Sequence, residues 1–140
     1  MSETFSIALV GTGGISQSAH IPAWNGLDDV SIEAIADLDE ENRAAAADAV
    51  NADGVERYAD YESLLDTEDV DLVDVTIPPG DAKVDAIRTA LRRGVHVTCQ
   101  KPFTEDLSTA IDLVETAEAE GVELSVNQQA RFAGAFDRGR

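Results

Sequence analysis

The 140 residues carry 28 Asp and Glu against 10 Lys and Arg, a formal net charge of -18 with a pI near 4.1, which repels nucleic acid and anionic membranes. A chain this long buries roughly two thirds of its unfolded surface as one domain, and its single cysteine, Cys99, excludes an intramolecular disulfide framework. The N-terminus has no secretory pattern and no apolar run approaches a bilayer's roughly 18 to 20 residues, so a soluble cytoplasmic protein is expected.

In chain order, Phe5 to Ser16 comes first: a short apolar strand that runs straight into a glycine turn opening a helix. That order is a phosphate-binding device. Gly11 allows a sharp reversal, Gly13 lets a pyrophosphate approach the backbone, and the helix start at Gly14 and Ile15 offers N–H groups and a positive dipole end. Thr12 completes the turn, and Ser16 replaces the third glycine of the G-x-G-x-x-G pattern. A glycine turn alone also occurs without a ligand, so the rest of the chain must decide. The first helix is expected from Gly14 to about Trp24, with Pro22 near its end or at the restart of a short turn.

Residues 30–36 alternate as a second strand that ends at Asp37, and Asp39 caps an alanine-rich helix reaching about Val50. A brief strand over 56–58 and a short helix over 61–65 follow. An apolar strand over 72–77 is interrupted only by Asp74 and stopped by Pro78-Pro79-Gly80. A helix over 81–93 ends at Gly94, a strand over 95–99 stops at Lys101-Pro102, a helix runs to about Glu120, and a last strand covers 123–126. Alternation throughout, with short connections and no repeat, implies right-handed parallel crossovers. The fold class is therefore α/β: a doubly wound, mostly parallel, Rossmann-type sheet of about six strands in the order 3-2-1-4-5-6. The domain is expected over 1–126, leaving 127–140 as a C-terminal segment.

Ligands of such a sheet lie beyond the C-terminal strand ends, which selects Gly11 to Ile15, Asp37, Thr76 to Pro79, Gln100 to Pro102, and Asn127 to Gln129. Asp37 stands 21 residues after Ser16, the separation at which a carboxylate accepts from the adenosine ribose hydroxyls; the other reading is a helix cap, for which Asp39 is better placed. A carboxylate about 4 Å from a 2′-phosphate costs on the order of 4 kcal/mol at intermediate dielectric, and the next residue is Leu38 rather than an arginine, so NAD is expected over NADP. Only Lys83 and Lys101 are lysines; the Asp/Glu-rich, Lys-poor composition fits a halophilic protein, with an acidic mesophilic one as the alternative. Lys101 at a strand end in the crevice is a candidate to give or take a proton beside a reacting hydroxyl, against the reading of an ordinary loop lysine. Cys99 reads as a buried apolar residue, and His20 and His96 lack metal-ligand spacing. Thr76 and Pro79 are expected to shape the loop beside the dinucleotide, and Asn127, Gln128 and Gln129 to offer hydrogen bonds to the nicotinamide or its ribose.

The segments Val-Gly-Thr-Gly-Gly-Ile-Ser, Ala-Asp-Leu-Asp, Thr-Ile-Pro-Pro, Gly-Val-His-Val-Thr-Cys-Gln-Lys-Pro and Val-Asn-Gln-Gln-Ala-Arg-Phe together resemble the NAD(P)-binding domain of the Gfo/Idh/MocA oxidoreductases, the family of glucose-fructose oxidoreductase and inositol 2-dehydrogenase. The resemblance implies that Lys101, on the family's Glu-Lys-Pro motif, contacts substrate and nicotinamide ribose. Gln100 replaces the usual glutamate, and Lys83 stands where many members have a histidine, so no role is carried to it. Family members continue into a second α/β domain that builds the substrate pocket and subunit interface, and that domain is absent from these 140 residues. Two readings follow. One is an NAD-dependent oxidoreductase domain acting on a secondary alcohol of a sugar or polyol. The other is a non-catalytic or truncated NAD-binding module that needs a partner chain or homo-oligomer to supply a substrate domain. A CoA-binding domain is disfavoured by Asp37 and the Gln-Lys-Pro segment.

Overall fold

A computed structural model describes residues 4–50 and 54–127. Six strands, β1 (Phe5–Val10), β2 (Val30–Ala36), β3 (Glu56–Tyr58), β4 (Leu72–Val75), β5 (His96–Gln100) and β6 (Leu124–Asn127), form one sheet in the order β3-β2-β1-β4-β5-β6. Every pairing is parallel. The order reverses between β1 and β4, which opens a crevice above their C-terminal ends.

The helices are α1 (Ile21–Asn25), α2 (Glu40–Ala49), α3 (Tyr61–Thr67), α4 (Asp81–Arg92) and α5 (Leu107–Glu120). They divide the apolar residues into two cores, one on each face of the sheet. Ala8, Val10, Val73, Val75 and Val97 pack toward α3, α4 and α5, where Leu64, Ile87 and Leu113 are fully buried. Ile7, Leu9, Ile32 and Ile35 pack toward α1 and α2. Burying such side chains contributes about 1.5–3 kcal/mol each. The pairing of β1 with β2 skips Glu33, so that Ile32 and Ile35, three apart in sequence, share a face. That irregularity breaks the strict alternation expected for residues 30–36.

Three of the helix starts are set by acids. Asp39, Asp60 and Asp106 each accept N–H bonds from the first turn of α2, α3 and α5, satisfying orphan donors and favouring the positive dipole end. Helix α5 ends at Gly121, whose φ of 68° is left-handed. The first helix departs from a plain α-helix: Ser16–His20 is a π-helical turn whose register closes with the Ile21 N–H bonded to the Ser16 carbonyl. Pro22 then sits in the first turn of α1, where its missing N–H is harmless. Strand ends also shift by a residue or two. β4 stops at Val75, two residues before the expected Ile77: the Thr76 N–H makes a last bond to the Val10 carbonyl (2.8 Å), and Pro78 and Pro79 beyond it cannot donate to the ladder.

Candidate functional site: the glycine turn and the strand-end crevice

The glycine turn is built by its neighbours on both sides. Gly11 has φ +89°, and a Cβ there would lie 2.9 Å from the Ile77 nitrogen and 3.0 Å from Thr76 Oγ1, so a side chain is excluded by conformation and by contact. Its N–H donates to the Ala36 carbonyl (2.9 Å), while the Thr76 hydroxyl donates to the Gly11 carbonyl (2.6 Å). Thr12 is fully buried; its N–H (2.8 Å) and its hydroxyl (3.1 Å) both donate to Asp37 Oδ2. The other carboxylate oxygen, Oδ1, accepts the Asp39 N–H at 2.8 Å. Asp37 thus locks the turn of β1 to the end of β2.

Gly13 and Gly14 are different. A Cβ on Gly13 would meet only Asn42 Nδ2 at 3.9 Å, and one on Gly14 would meet nothing within 4 Å. No packing inside the protein requires their bareness; it keeps the backbone open to something outside. The space outside is a cleft of about 540 Å³ beyond the ends of β1, β2 and β4. Gly11, Gly13, Gly14, Ile15, Asp37, Leu38 and Thr76 line it, as do Asn42 and Tyr61, which sequence reading missed. Asn42 and Tyr61 sit in the first turns of helices that begin at strand ends, a position that points toward the crevice even without a motif.

Three further expected residues fall elsewhere. Pro79 lines a separate hollow of about 330 Å³ between the starts of α4 and α5, because the chain turns outward after Pro78. Gln100 ends β5 and Lys101 follows it, both outside the residues lining the cleft. Lys101 is exposed, and its bond to Pro102 is cis. Gln128 and Gln129 lie outside the described residues, while Asn127 ends β6 in register with Gln100.

Around Gln100 the structure assembles a polar cluster that spacing alone did not reveal. His20 is buried; its Nδ1 lies 2.7 Å from Asp74 Oδ2 and its Nε2 lies 2.9 Å from Gln100 Oε1. Trp24 Nε1–H donates to the same Asp74 oxygen at 2.8 Å. The hydrogen bond from Asp74 raises the His20 pKa above its ordinary value against the opposing effect of burial, with smaller support from the Asp74 charge and Gln100. On the opposite sheet face Lys83 is buried and donates to the main-chain carbonyls of Gln100 and Pro102. The available signal was Asp74, an acid inside an apolar strand, which needs a buried partner. Burial pushes the Cys99 thiol up to about 11, consistent with a packing residue. Among the described residues no group of His, Cys, Asp and Glu could hold a metal, and no helix is long and apolar enough to cross a membrane.

A doubly wound parallel sheet with an open glycine turn at its reversal point defines a Rossmann-type nucleotide-binding domain. Residues 5–128 match the GFO_IDH_MocA family, described as an oxidoreductase family with an NAD-binding Rossmann fold, and the chain belongs to that family. It is 36% identical over 134 residues to D-apiose dehydrogenase of Paraburkholderia graminis, covering 94% of this chain and 34% of that protein. It is 33% identical over 130 residues to D-xylose 1-dehydrogenase (NADP(+)) 2 of Haloferax volcanii, covering 93% and 39%. The crystal structure of an oxidoreductase from Agrobacterium radiobacter in complex with NAD+, L-tartaric acid and magnesium superposes with a TM-score of 0.84 at 27% identity, covering 91% of this chain and 36% of that one. The chain thus spans a little over a third of the length of these relatives.

Proposed function

We propose that this chain is the cofactor-holding domain of an NAD-dependent dehydrogenase that moves a hydride to or from a secondary alcohol of a sugar or polyol. The observation that carries the reading is the bare face of Gly13 and Gly14 at the head of the cleft, with Asp37 on its rim. A nicotinamide cofactor fits that donor set and supplies the hydride acceptor or donor. Backbone N–H groups of Gly13 to Ile15 hold the pyrophosphate, on a turn that the Gly11 and Thr12 N–H groups fix through Ala36 and Asp37. Asp37 Oδ1, which accepts from the Asp39 N–H, retains capacity to accept from the adenosine ribose. Leu38 flanks the adenine end, and Thr76 shapes the crevice wall. Asp37, Asp60 and Glu62 surround the cleft, and their negative charge disfavours a 2′-phosphate, which supports NAD over NADP.

Lys101 is the proton-handling residue of this reading, with Gln100 beside it and Gln129 toward the nicotinamide ribose. As the carbinol C–H bond gives up its electron pair as hydride to the nicotinamide, a carbonyl forms and Lys101, beside the hydroxyl, passes its proton on to solvent; the reverse reaction returns it. The sugar substrates named for the relatives support the substrate class. The charge balance supports work in concentrated salt, and this reading places the protein in the cytoplasm. A second reading, favoured by the share of the relatives that the chain spans, is a module that binds the dinucleotide and turns over only with a separate substrate domain.

Titration of NADH fluorescence in molar KCl tests the proposal. Saturable binding is expected, and its absence overturns both readings. Binding without any change of reduced-cofactor absorbance, across a panel of aldoses and polyols, leaves the module.

A further inference from the structure

We propose that Lys83 is a positioning residue for Lys101: from α4 its ammonium ties down the main-chain carbonyls on either side of that lysine. The inference rests on the role given to Lys101 above. Lys83 is 1% exposed, the largest of the fully buried side chains, and lies in the first turn of α4. Its Nζ donates to the carbonyl oxygens of Gln100 and Pro102. A buried ammonium is costly unless its donors are satisfied, and none of the ion pairs among the described residues includes Lys83.

The geometry gives that cost a use. The two carbonyls belong to the residues flanking Lys101, so holding both fixes the peptide units from which its exposed side chain departs. Gln100 is held a second time, from the other face of the sheet, by His20 through its side chain. The Gln100-Lys101-Pro102 strap is therefore pinned from above and below while the Lys101 ammonium stays in solvent. Packing alone would be met by leucine or methionine. Two separate carbonyls at the end of a long stem call for a compact group with several donors, which lysine has and a planar guanidinium presents less adaptably.

With two lysines in the chain, reductive 13C-methylation followed by NMR reads each amine separately. In the wild-type protein without cofactor, Lys101 is expected to react freely and Lys83 at least about tenfold more slowly, since it is reached only through local opening. Equal rates overturn the proposal without any variant. In Lys83→Met the Lys101 methyl signals and the Gln100 side-chain amide should move toward free-residue values, while the Gly13 and Gly14 amides hold their positions. NADH affinity should stay within about threefold, as Lys83 does not line the cleft, and Lys83→Arg should restore the Lys101 signals in part. A folded Lys83→Met protein with unmoved Lys101 and Gln100 signals sinks the idea; should that variant not fold, the wild-type rates and Lys83→Arg decide. Because these signals are read without cofactor, a chain that shows them yet binds no NADH loses the functional reading and keeps this one.

Discussion

At the scale of single residues, Asp37 carries two duties: it anchors Thr12 and stands on the rim of the cleft. Hydrogen bonds to a charged group are worth about 1.5–3 kcal/mol, so Asp37→Ala should weaken NADH binding by roughly 10- to 100-fold and narrow the gap between NADH and NADPH. Unchanged NADH affinity in a fluorescence titration would remove Asp37 from the site. Gly11→Ala meets both a left-handed φ and a 2.9 Å contact; strain of this kind costs about 1–3 kcal/mol, a fall in Tm of roughly 2–12 °C for a domain of this size. His20 supplies a pH signature. Its pKa is raised above the ordinary 6.5, chiefly by its bond to Asp74, so its contribution is full below about pH 6.5 and is lost as pH rises through the raised value. The Tm gap between wild type and His20→Gln should therefore shrink from acid to alkaline pH, and a constant gap would deny the charged pair. The glycine turn and the placement of Asp37 at a strand end were legible because each depends on neighbours in sequence. The partners of His20 were not, for Asp74 and Gln100 lie 54 and 80 residues away and only the completed sheet brings them together.

Among the elements, strand order and crossover pattern followed from alternation, and the acidic helix starts from capping chemistry. Asp39→Ala removes acceptors for the Glu41 and Asn42 N–H groups and should cost about 1 kcal/mol in urea denaturation; a loss near zero would mean that water replaces the cap fully. Boundaries were less legible. The π-helical turn over Ser16–His20 has no propensity signature, and what shows it is the Ile21 N–H reaching back five residues. Such turns gather at functional sites, and this one delivers His20 to Asp74. Lys83 illustrates the same limit, since a lysine in the first turn of an amphipathic helix reads as solvated until the strap at the end of β5 is folded over it.

For the whole molecule, a charge of -18 on 140 residues makes self-repulsion a global term that salt screens, with a Debye length falling from about 10 Å at 0.1 M to about 3 Å at 1 M. Tm should climb steadily as KCl rises from 0.1 to 2 M, and a flat or falling curve would set aside the halophilic reading. Both sheet faces and the strand order serve one result, a crevice whose walls come from separate crossovers. The tie between Thr12 and Asp37 gives that arrangement a mechanical meaning. The turn that follows β1 takes its position from β2, so any substitution that shifts the end of β2 or the first residues after it displaces the proposed phosphate cradle as well. The cofactor-facing backbone is thereby indexed to a neighbouring strand, and tolerance to change there is set by residues that touch no ligand.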